Sequence, residues 1–104
     1  MFNGIKTTGN SAVSYSFAPT NSVAIKQVRV HLSAAGAAGD MTFTLNSAGG
    51  TAYDVLVLSE DMTSVTDLIW NPNGDTFYIA PGDSFDIAWA NASARTYGIE
   101  ILYT

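Results

Sequence analysis

Asn71, Asn73 and Asp75 stand at alternate positions in the stretch NPNGDTFYIAPGDSFDIAW (71–89), as the first oxygen ligands of a calcium loop do. The comparison stops there. A helical-type calcium loop needs glycine at its sixth position and a bidentate glutamate at its twelfth, whereas Gly74 stands fourth and Gly82 twelfth. Pro72 and Gly74 instead supply turn dihedrals, and Pro81-Gly82 has the residue order of a type II turn. The stretch predicts two tight reversals flanking a short strand, TFYIA, with Asp75 and Asp83 shaping loops and no metal or other cofactor held.

Paired carboxylates are the next chemistry to weigh, because a glycosidase-type site needs two of them facing one another. Asp83 and Asp86 lie three apart, which in a strand sends them to opposite faces. Asp54, Glu60, Asp61 and Asp67 meet only if the fold gathers them. His31 is the one histidine, and no serine sits in a G-x-S-x-G elbow, so a serine triad has no nucleophile to offer. The residues predict a protein that is not an enzyme. Gln27, Arg29 and His31 alternate with Val28, Val30 and Leu32 and form a polar strip, a candidate half of an interface with an acidic partner.

Amphipathic rings offer a second binding chemistry, stacking on a sugar. Trp89 alternates with Phe85 and Ile87 and reads as core, whereas Trp70, at a strand end beside a turn, reads as an exposed or interfacial ring. The candidate interface is therefore Gln27, Arg29, His31, Trp70, Asn71, Asn73 and Tyr97.

The composition bounds the partners. Of the 104 residues 47% are hydrophobic and only 12% charged, against about 25% charged in an average soluble chain, which suggests a surface partly covered by something else. With net charge −5, Lys6, Lys26, Arg29 and Arg95 are too few and too scattered to neutralise a run of phosphates, so nucleic acid is not expected. There is no cysteine, hence no disulfide frame and no thiolate metal site. The start, MFNGIKTTGNSAV, lacks the apolar run of a secretory signal, and no segment reaches the ~20 apolar residues of a membrane helix; no membrane partner is expected.

The elements that must position these residues are strands, because period-two alternation dominates. Residues 1–10 read as a flexible Gly/Asn-rich arm and 11–104 as a single β domain. Val13, Tyr15 and Phe17 share one face; in SVAIKQVRVHLS the phase slips near Lys26 and Gln27, which predicts a β-bulge. SAAGAAGD (33–40) is a small-residue loop expected to be exposed or packed against another chain. Met41, Phe43 and Leu45 point inward, a turn follows at 48–50, and the strand over 53–58 is apolar on both faces, so both are expected to be covered. Strands over 65–70, TFYIA, SFDIAWA and YGIEILYT complete about eight, with no helix; an all-β, two-sheet antiparallel sandwich results, and an eight-stranded jelly roll suits the count.

The C-terminal third, VTDLIWNPNGDTFYIAPGDSFDIAWANASARTYGIEILYT, resembles the small jelly-roll virion proteins of tailed bacteriophages, the head decoration (cement) proteins and related fibre or tail accessory proteins. Pro81, Gly82 and Asp83 leading into Phe85, Ile87 and Trp89, then Asn91, then Tyr97 and Gly98 leading into Ile99 and Ile101, carry the resemblance. It implies a non-catalytic virion subunit, made in the host cytoplasm, homotrimeric and bound to the major capsid protein or another virion protein. An alternative it also allows is a fibre or tail module that recognises a host receptor or carbohydrate.

Overall fold

Among the described residues, alternating apolar residues make nine antiparallel strands, one more than the sequence reading counted. The computed structural model describes residues 3–72 and 77–104. The strands are β1 (Asn3–Gly9), β2 (Val13–Phe17), β3 (Val23–Leu32), β4 (Asp40–Asn46), β5 (Val55–Asp61), β6 (Asp67–Trp70), β7 (Tyr78–Ile79), β8 (Ser84–Trp89) and β9 (Tyr97–Tyr103). Among the described residues the one helical element is a single 3-10 turn, Thr51–Tyr53, so the strand expected from residue 53 begins at Val55.

One sheet has the order β1-β9-β3-β6 and the other β2-β8-β4-β5, with β7 added to β3. The first strand pairs with the last, β2 with β8, β3 with β6 and β4 with β5. Nested pairs of this kind are one long hairpin rolled into two facing sheets, the jelly-roll winding. β6 and β7 occupy successive lengths of the same edge: β6 pairs with Val28–His31, and β7 with Val23 and Ala24. Within TFYIA, Tyr78–Ile79 forms a two-residue strand, and the strand expected over 65–70 starts at Asp67.

Asn3–Gly9, in the stretch read as an arm, lies along β9 in continuous register from Asn3 opposite Tyr103 to Gly9 opposite Tyr97. The predicted bulge in β3 is present: Ile25 pairs with Tyr103 and Gln27 with Leu102, leaving Lys26 as the extra residue. That extra residue lets Ile25 and Val28 both face the core although they are an odd number apart.

The core between the sheets is built from inward residues of every long strand except β1 and β5, which contribute partly buried side chains. Phe43, Phe85, Ile87 and Ile101 are fully enclosed, each contributing about 1.5–3 kcal/mol of burial. The two-faced strand is resolved differently from expectation. Phe43 pairs with Leu58 and Thr44 with Leu56, so Val57 is an extra residue in β5; Val57 and Leu58 both reach the core. Leu56, opposite Thr44, is turned outward, and Val55 lies at the open edge.

The small-residue loop after β3 is exposed at 33, 35 and 38–40, as expected, while Gly36 packs against its own chain. Gly36 bridges to Thr63, its N–H donates to the Val65 carbonyl at 3.0 Å, and the Met62 N–H donates to the Gly39 carbonyl at 3.1 Å. Without side chains in the way, this loop closes over buried Met62 and Trp89.

Candidate functional site

Period two places Gln27, Arg29 and His31 on the outer face of the β1-β9-β3-β6 sheet. The register then sets their neighbours. Arg29 lies opposite Glu100, which lies opposite Lys6; His31 lies opposite Gly98, which lies opposite Thr8; on the other side, His31 pairs with Asp67 and Arg29 with Ile69. Cross-strand side chains of opposite charge on one face are within reach of each other, and here they pair.

Glu100 is gripped from both sides, by Arg29 at 3.4 Å from one oxygen and by Lys6 at 3.8 Å from the other. Arg29 Nε donates to the Gln27 side-chain oxygen, and Gln27 Nε2 donates to Asn71 Oδ1 at 2.8 Å. One hydrogen-bonded row therefore runs from Asn71 through Gln27 and Arg29 to Glu100. His31 Nδ1–H donates to Asp67 Oδ1 at 2.5 Å, and the Thr66 hydroxyl donates to the other Asp67 oxygen at 3.2 Å. These bonds, that of His31 foremost, hold the Asp67 carboxyl below the usual carboxylate range.

Between the Lys6–Thr8 side and the Arg29–His31 side, the centre strand presents Gly98, where an added Cβ would meet nothing within 4 Å. A hollow of about 880 Å³ lies over this point, lined among others by Lys6, Thr8, Arg29, His31 and Ile69. Thr8 Oγ1 donates to the Tyr97 carbonyl at 2.7 Å, which fixes the hydroxyl beside the hollow.

The other proposed interface residues go elsewhere. Trp70 continues the inward phase of Leu68, and its ring stacks on Phe85 at 5.9 Å and meets Phe43 and Phe77 edge-on. Tyr97 is buried in the core beneath β1. Neither ring forms an exposed stacking platform. Asn71 stands exposed at the end of β6, and Asn73, with Gly74 and Asp75 of the calcium-loop comparison, lies outside the described residues. Among the described residues, no three or more His, Asp or Glu side chains are grouped to hold a metal ion.

The turn reading of Pro81-Gly82 is correct: Gly82 has φ 92°, the Asp83 N–H donates to the Ala80 carbonyl at 3.0 Å, and the Asp83 carboxylate accepts from the Ala48 N–H at 2.9 Å. Asp83 thus ties two loops together. The sequence reading missed Lys6, Thr8, Glu100 and Asp67 as partners of the polar strip. Period two in YGIEILYT puts Gly98 and Glu100 on the face opposite the core residues, but the pairing with Lys6, Thr8 and Asp67 is set by register between distant strands.

No family model and no curated protein matches the chain. Among solved structures, the Yersinia pseudotuberculosis-derived mitogen (YPM) is 17% identical with a TM-score of 0.44, the match covering 100% of this chain and 85% of that one. A structure of infectious bursal disease virus, Gx strain, is 14% identical with a TM-score of 0.38, over 98% of this chain and 32% of that one. At these identities and TM-scores neither likeness carries a function to this chain.

Proposed function

We propose that the protein is a non-catalytic structural virion subunit, a head decoration (cement) protein that assembles as a homotrimer and bridges neighbouring capsid proteins. The observation that supports assembly is the free edge of the second sheet. Among the described residues β5 pairs only with β4, and beside it Tyr53 (67% exposed), Val55 (51%) and Leu56 (60%) form an apolar run facing solvent. Edge strands of monomers are commonly blunted by charge, proline or a bulge; β5 carries Glu60, Asp61 and the extra residue Val57, but over 55–58 it has no charge and no proline. The exposed apolar run beside this free edge supports an interaction site there. The virion setting is supported by the resemblance of the Pro81–Ile101 ending.

The test pairs native mass with cosedimentation on expanded phage heads. The expected result is a trimer that pellets with heads, and a Leu56→Lys variant that stays folded but loses one or both. A chain that remains monomeric at high concentration and stays in the supernatant sinks the proposal. The alternative, a fibre or tail binding module, is favoured by a separate observation, the open hollow over Gly98, mainly apolar inside and bordered by Lys6, Arg29 and Glu100.

A further inference from the structure

We propose that the hollow over Gly98 is a saccharide subsite that takes a neutral pyranose ring. The inference deepens the binding-module reading and moves its site from the Trp70 loop to the outer face of the first sheet. Gly98 is the second residue of β9, and glycine in a strand is found at bulges, at bends, or where a ligand or another backbone comes close. At Gly98 the register runs unbroken on both sides, φ is not positive, and no atom crowds the missing Cβ. The bare backbone at Gly98 leaves the floor of the hollow open to a ligand.

Size and charge select the ligand. β1 and β3 flank β9 at about 4.8 Å each, so the trough between Thr8 and His31 is roughly 10 Å across, the width of one sugar ring with its hydroxyls. Two of the four Lys/Arg residues, Lys6 and Arg29, border it, but Glu100 stands between them and Asp67 stands beside His31. An anion meets two carboxylates there and a cation meets two basic side chains. A neutral polyol, in which every hydroxyl both donates and accepts, suits a rim of alternating donors and acceptors. Ile69, 61% exposed at the rim, offers apolar surface to the C–H face of the ring. The Asn71–Gln27–Arg29–Glu100 row holds the polar groups in place before the ligand arrives, which lowers the ordering cost of binding.

The experiment titrates the isotope-labelled 104-residue chain with lactose, maltose, cellobiose and diacetylchitobiose, with glucuronic acid as the charged comparison, following backbone amide shifts. At least one neutral disaccharide is expected to move the Thr8, Arg29, His31 and Gly98 amides in a saturable way. Gly98→Val fills the trough and favours the strand, so it is expected to melt no lower than the parent while binding about tenfold or more weakly. The proposal is overturned if no neutral probe moves these amides, if Gly98→Val binds as well as the parent, or if glucuronic acid binds best. Loss of sugar binding with trimer and head binding intact removes this subsite alone; loss of assembly in Leu56→Lys leaves it standing.

Discussion

Gly36 and Met62 approach so closely that a Cβ on the glycine would lie 2.5 Å from the Met62 carbonyl oxygen and 3.1 Å from Cζ2 of Trp89. Backbone cannot yield as a side-chain tip can. Gly36→Ala is therefore expected to lose about 1–3 kcal/mol, read from the urea midpoint at constant m-value. Gly98→Ala, in open space, is expected to hold or gain stability. Equal effects at the two positions would remove the steric reading.

Asn91 is the buried polar residue of the loop between β8 and β9, and its conformation is left-handed, φ 50°. Its Nδ2 donates to the Ser11 and Arg95 carbonyls and its Oδ1 accepts from the Arg95 N–H, all at 2.9 Å. Asn91→Gly keeps the dihedral and loses the bonds; Asn91→Ala loses both. Expected losses are about 2–4 kcal/mol for alanine and less for glycine, because several buried groups are left unpaired in either case. Equilibrium unfolding of the pair checks the order; glycine at or below alanine would contradict it.

The bulge at Lys26 was legible because a phase slip in an alternating strand leaves few other solutions. The strip Gln27, Arg29, His31 was legible for the same reason. Strand β1 was not, since Ile5 is its only large apolar residue among the described positions; the unpaired side of β9, not local propensity, makes it a strand. Glu100, Lys6 and Asp67 as partners of the strip depend on register between distant strands, which no local pattern states. Trp70 was misread for want of weight on Leu68, two residues before it and in the same phase.

Trp70 is a structural ring. Its stacking on Phe85, with planes 10° apart, and its edge contacts to Phe43 and Phe77 place it in the aromatic end of the core. Trp70→Ala is expected to cost about 3–5 kcal/mol, and Trp70→Phe less. A thermal melt alongside any binding assay separates the effects. If Trp70→Ala melts like the parent, the ring is not core.

The acid side of the stability profile follows from two exposed carboxylates. Asp67 is held below its ordinary pKa of 3.8 chiefly by His31, and Asp61 chiefly by the Thr63 backbone N–H, helped by the Thr63 hydroxyl. A lowered folded pKa means that the unfolded chain takes up protons first as the pH falls. The stabilisation is thus fully present above the ordinary carboxylate value and is lost as pH falls through the lowered one. Both groups lie in solvent, so the contribution is screened and small. The direct measurement is a carboxyl-carbon titration: the Asp67 midpoint is expected below 3.8 in the parent and to move up in His31→Ala. Asp61→Asn combined with Asp67→Asn is expected to flatten the fall in melting temperature between about pH 5 and about pH 2. An Asp67 midpoint that ignores His31→Ala would show that the contact does not hold the charge in solution.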